Sequence, residues 1–266
     1  MNIIIYTNKY TLSNMENNNK SSKLWLIPNA LHNGYENLPS DYYKFNIPLH
    51  VQNIAVNINY WLVENAKTAR AFLKSLNLPL SQPLQQQKIL VIGDIKENEA
   101  LSFLKEAQQN QQDIGVLSEA GLPAIADPGS TIVALAHKIN LPVMPLVGPC
   151  SITLALMASG FNGQSFVFHG YMPIDNSERN KAIQFSEKNS KSHKQTQICI
   201  ETPYRNVQFM QSLLQNLKLD TRLCIGADIT LDSQTIISKT VAEWKSTNKN
   251  VIDALHKKPC IFLWLA

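Results

Sequence analysis

From Leu24 onward, short apolar runs bounded by turn residues alternate with longer stretches in which apolar side chains recur every three or four positions. Short continuous apolar runs suit strands buried on both faces, and the three-or-four spacing lays an apolar stripe along a helix. Strands are expected over 24–27, 60–63, 89–92, 114–117 and 143–147, and helices over 66–76, 97–109 and 131–139. Strands joined by crossover helices give an α/β fold with a largely parallel sheet.

After Gly148 the texture changes. A helix is expected over 151–158, and strands over 166–169, 197–200, 223–227, 235–240 and 261–265. The short polar connection between the runs at Leu223 and Thr235 suits a hairpin, so the second sheet should be mixed. Leu154, Leu156 and Met157 are read as core. The change places a boundary near Gly148 and Pro149, dividing the chain into units 24–147 and 148–266. Residues 1–23 are expected to be a disordered extension, because their Asn, Ser and Lys content carries no apolar period, and Met15 is an alternative start.

Composition changes this picture little. A chain of 266 residues with 44% hydrophobic content has room for one large core or two small ones, and its net charge of +4 permits a nucleic-acid partner without arguing for one. Cys150, Cys199, Cys224 and Cys260 form no paired motif, so neither zinc nor a disulfide framework is indicated and a reducing compartment is expected. No apolar run approaches the roughly 18 residues of a membrane helix. A soluble cytosolic protein is the expectation.

The densest punctuation is Ser118-Glu119-Ala120-Gly121-Leu122-Pro123-Ala124-Ile125-Ala126-Asp127-Pro128-Gly129, after a strand and before a helix. In α/β sheets that position borders the ligand crevice, where glycine lets backbone approach a ligand and proline stiffens the loop. A second punctuated turn, Gly148-Pro149-Cys150-Ser151, also follows a strand; Ser151 is placed to cap the next helix, whose free amides suit a carboxylate. No GxGxxG or GxxxxGK[ST] occurs, so common dinucleotides and nucleoside triphosphates are not indicated. The acids nearest strand ends are Glu64, Asp94, Asp127 and Asp228; each alone more commonly caps or solvates than catalyses. Arg70 and Arg205 suit phosphate or carboxylate contacts, and the basic stretch 178–194 is read first as a solvated helix face.

At these loops the sequence resembles a known family. SEAGLPAIADPG and PLVGPCSITLALMASG are similar to the SDAGTP, SDPG and PLPGPSA loops of the ribosomal RNA small-subunit methyltransferase I group, within the tetrapyrrole methylase superfamily. The likeness continues through Phe166-Val167-Phe168-His169-Gly170-Tyr171-Met172-Pro173 and Glu201-Thr202-Pro203-Tyr204-Arg205, and runs from about Leu24 to Leu265. Val63-Glu64-Asn65-Ala66-Lys67-Thr68-Ala69-Arg70 matches a further segment in altered form.

The resemblance implies a two-domain tetrapyrrole-methylase-like fold, a homodimer, and S-adenosylmethionine held in the cleft between domains, without a metal. It assigns Leu31, Ser118, Glu119, Ala120, Gly121, Leu122, Ile125, Cys150, Ser151, Thr202 and Ala227 to the cofactor. RNA is the implied methyl acceptor, with transfer to a ribose 2′-hydroxyl of ribosomal RNA. The N-terminal loop departs from the family in carrying bulkier residues over 27–33, and Ala227-Asp228-Ile229-Thr230-Leu231 lacks the family's arginine and lysine. Two alternatives therefore stay open: methylation of a small molecule such as a tetrapyrrole, and a non-catalytic relative that keeps the cofactor site.

Overall fold

The computed structural model describes residues 21–32, 38–39, 41–93 and 95–266. Residues 1–20, which hold most of the expected extension and Met15, lie outside the described residues, as do Asn33 and Asp94. The packed body starts earlier than Leu24, since Ser22 is buried and the Lys23 amide donates to Asp113 Oδ1 at 2.9 Å.

The first five strands are β1 (Leu24–Ile27), β2 (Tyr60–Val63), β3 (Lys88–Val91), β4 (Ile114–Leu117) and β5 (Val143–Pro145). They form one sheet in the order β3-β2-β4-β1-β5, every pair parallel. β2 and β4 are buried at every position, as central parallel strands covered on both faces must be. Alternate side chains serve the two faces. Ile27, Trp61, Val63 and Leu117 pack with α1 (Tyr42–Asn46), α2 (Leu49–Ala55) and α3 (Ala66–Ser75), whereas Leu24, Leu62, Ile114 and Val116 pack with α4 (Glu97–Gln109) and α5 (Ser130–Lys138). Trp61 lies across Gly115, where a Cβ would sit 2.6 Å from the indole, so this pair needs glycine.

The remaining strands are β6 (Phe166–Tyr171), β7 (Thr196–Glu201), β8 (Arg222–Ala227), β9 (Thr235–Thr240) and β10 (Cys260–Leu265), ordered β6-β7-β10-β8-β9. β6 and β7 are parallel and the other pairs antiparallel, including the expected β8–β9 hairpin. α6 (Ser151–Ser159) covers one face. α7 (Asn176–His193), α8 (Asn206–Asn216), α9 (Val241–Lys245) and α10 (Lys249–Asp253) lie on the other. The Asp175 carboxylate caps α7 by accepting from the Glu178 amide at 2.9 Å, and Thr240 with Glu243 forms a capping box on α9.

Three expectations are corrected. β5 stops at Pro145, two residues early, and Val147 is exposed. Ser151 is the first helical residue of α6; the N-cap is Cys150, with no side-chain cap. Met157 is not core but 78% exposed, whereas Leu156 is buried, because a nine-residue helix that is apolar nearly all round presents no single stripe. Among the described residues, no helix is long and apolar enough to cross a membrane.

Candidate active site

The segments following β1 and β4 are tied together at the carboxyl ends of the first sheet. Asn29 is fully buried, and its Nδ2 donates to the carbonyls of Ser118 and Glu119 at 3.0 and 3.1 Å. The Asn29 amide donates to Gly121 O at 2.8 Å, and the Gly121 amide returns a bond to Ala30 O at 3.1 Å. Gly121 has φ +66°, which glycine adopts without a Cβ penalty, and the Leu31 side chain lies directly over it. Glu64, just after β2, accepts the Glu119 amide at 2.9 Å, and Thr68 donates to Glu119 Oε1 at 3.1 Å.

The rest of the loop is held in an uncommon conformation. Ala124 and Ala126 have φ +66° and +64°, and Gly129 reaches +137°. Two non-glycine residues in the left-handed region so close together are strained, which surrounding structure must sustain. Asp127 lies between them and Gly129. Its carboxyl is pushed up to about 6, first by burial, then by the negative charge of Glu64, with Glu119 adding in the same sense. The Ser118 hydroxyl, which donates to Ala120 O at 3.0 Å, opposes the shift without cancelling it.

The Gly148 turn joins this assembly by close approach: a Cβ there would fall 2.1 Å from Pro28 Cβ. A clasp then links the first sheet to the turn after β8. His32 Nε2 lies 3.0 Å from Ile229 O, and the Tyr42 hydroxyl lies 2.7 Å from Thr230 Oγ1. Asp228 and Thr230, at φ +52° and +79°, bend that turn toward the first sheet.

Between the two sheets is a cavity of about 430 Å³. Of the cofactor residues implied by the resemblance, Leu31, Glu119, Ala120, Gly121, Leu122, Ile125, Cys150 and Ser151 line it. Ser118, Thr202 and Ala227 do not. Ser118 is buried beneath the loop, and the Thr202 amide donates to Glu201 Oε1. Ala227 packs against the helices behind β8, because strand alternation turns its neighbour Gly226 to the cavity instead. Glu64 and Asp127 also line the cavity; Asp228 instead pairs with Lys258 at 2.7 Å.

The opposite wall was not legible in the sequence. Phe168, Ile200, Ile229 and Ile261 make it apolar, with Tyr171, Glu201 and Lys257 adding polar groups. Arg205 is committed to Glu201, its Nη2 lying 2.6 Å from Oε1. Arg179, in the basic stretch, is buried and donates to Ile174 O at 2.7 Å and to Ser212 Oγ at 3.2 Å. Among the described residues, no group of His, Cys, Asp and Glu is arranged to hold a metal.

Two α/β sheets thus enclose a cavity that loops from the carboxyl ends of the parallel sheet reach. The solved structure of a cobalt precorrin-4 methyltransferase, a cobalamin biosynthetic enzyme, superposes with a TM-score of 0.58 over 94% of this chain and 98% of that one, at 14% identity. In sequence, the chain is similar to proteins named ribosomal RNA small subunit methyltransferase I. The one from Vibrio cholerae is 26% identical over 191 residues, covering 72% of this chain and 62% of that protein. The one from Hydrogenobaculum is 24% identical over 236 residues, covering 89% and 90%. The chain thus spans slightly under two thirds of the Vibrio relative's length. No family model matches it.

Proposed function

We propose that this chain is an S-adenosylmethionine-dependent methyltransferase acting on RNA, with the cofactor in the cleft between units 24–147 and 148–266. The carrying observation is that the Gly121 loop and the start of α6, far apart in sequence, line one cavity. Its size is within the range of small-molecule sites. The residues fit the cofactor: a helix start without a side-chain cap offers amides to a carboxylate, the Gly121 loop admits close backbone approach, and Phe168, Ile200 and Ile261 suit a purine face. When bound, the cofactor supplies a methyl group on a positively charged sulfur. Aligning the acceptor behind that methyl group and excluding water is then the protein's main task.

RNA as acceptor, and ribosomal RNA in particular, rests on the names of the sequence relatives. We carry the homodimer and the cytoplasmic setting in the same reading; the four free cysteines agree with a reducing compartment. Methylation of a small molecule is the second reading. It is favoured by the cavity's charge: Glu64, Glu119 and Asp127 line it together with Glu201, which Arg205 neutralises, against a single lysine, Lys257.

Titration calorimetry with S-adenosylmethionine and S-adenosylhomocysteine tests the cofactor, with micromolar binding of both expected. Transfer of labelled methyl groups to purified ribosomal RNA, before and after nuclease treatment, then tests the acceptor. Transfer activity that persists after RNA has been removed by nuclease, into an acceptor that is not a nucleotide, favours the second reading, and absence of cofactor binding overturns both.

A further inference from the structure

We infer that Asp127 takes the proton from the acceptor hydroxyl as the methyl group is transferred. This rests on the methyltransferase reading above and deepens it. The placement is built: Asp127 lines the cavity at the carboxyl ends of the parallel strands, on a loop holding Ala124 and Ala126 at positive φ. Strained backbone of that kind is kept where a side chain must be held in one place.

The neighbouring acids are already engaged. Glu64 receives the Glu119 amide, and Glu119 receives the Thr68 hydroxyl, so each has an oxygen occupied in holding the loops together. Across the cavity Glu201 is neutralised by Arg205. The titratable groups that act on or are acted on by Asp127 are Glu64, Glu119 and Tyr171, and Glu201, His32, Lys257, Cys150 and Cys260 line the rest of the cavity. Burial and Glu64 raise the carboxyl to about 6, which keeps most of it ionised at neutral pH while making it a stronger base than an ordinary carboxylate.

The step balances simply. The acceptor oxygen forms a bond to the methyl carbon as the bond from that carbon to sulfur breaks, the bonding pair staying on sulfur. The hydroxyl proton passes to an Asp127 oxygen and later to water. The products are a methyl ether and a thioether.

The test compares the full chain with Asp127→Asn in three measurements: the pH profile of methyl transfer, S-adenosylmethionine affinity by calorimetry, and carbon NMR of the Asp127 carboxyl. In the unsubstituted protein, kcat/KM should rise with pH through about 6, because only the ionised carboxylate accepts a proton. Asp127→Asn should lose that limb and at least about 100-fold in rate, with cofactor affinity retained. The NMR inflection should also lie near 6 and move down in Glu64→Gln, which removes the like charge. A rate within about threefold of the unsubstituted protein in Asp127→Asn, or an inflection in the ordinary carboxylate range, overturns the assignment. Failure of the unsubstituted protein to bind S-adenosylmethionine overturns the methyltransferase reading and this inference together; normal binding with an active Asp127→Asn overturns only the base.

Discussion

The two sheets divide the cavity's work unequally. The parallel sheet sends the loops after β1, β2 and β4 to one side, and these carry Leu31, Glu64, Glu119 and Asp127. The mixed sheet offers strand faces, so its contribution is mostly the flat apolar surface of Phe168, Ile200 and Ile261. A parallel sheet gathers its carboxyl ends on one edge, where loops converge, whereas antiparallel strands send alternate loops to opposite edges. Chemistry therefore gathers on the first half and shape on the second.

The contrast can be broken most sharply at Gly148. In Gly148→Ala the new methyl group meets the Pro28 ring, which has no flexible end to move aside. Overpacking of this kind should cost about 3 kcal/mol in urea unfolding and reduce S-adenosylmethionine affinity with it, because the β1 and β5 ends would be forced apart.

A second change loads the other half alone. Glu187 on α7 is buried, and its Oε1 accepts the Lys218 amide at 2.7 Å and the Thr221 hydroxyl, away from the cavity. Glu187→Ala should cost about 2 kcal/mol by leaving those donors unpaired. Calorimetry should find cofactor affinity unchanged; a parallel loss would mean that the two halves do not act separately.

The smallest expected effect falls on the clasp. Tyr42→Phe removes the hydrogen bond to Thr230 Oγ1 and should cost about 1 kcal/mol in stability. Weakening of cofactor binding by about threefold is expected if this contact helps to hold the cavity's two walls in place.

Much of the fold was legible because its signals are local. β1, β2, β4, α4 and β9 coincide with the expected ranges; β1, β2 and β4 are short apolar runs in a covered sheet, and α4 carries Ala100, Leu104 and Ala107 along one stripe. α1, α2, α9 and α10 are each five to seven residues, too short to display a period. α8 was missed although Phe209, Met210 and Leu213 carry helical spacing. At the cavity, Gly121 announced its role through the turn chemistry around it. Lys257, at φ +64° before Pro259, gave no comparable signal.

The sequence by itself determined the α/β class, the mixed character of the second sheet and the loop at Ser118–Gly129, because apolar period and glycine or proline placement act over a few neighbouring residues. Tertiary structure alone decided which acids share the cavity, that Arg205 and Lys258 are paired, that Met157 faces outward, and that burial and Glu64 push the Asp127 carboxyl up. Desolvation and charge–charge interactions depend on distance in space. Glu64 and Asp127 lie far apart along the chain, and only the folding of β2 beside β4 brings their charges together.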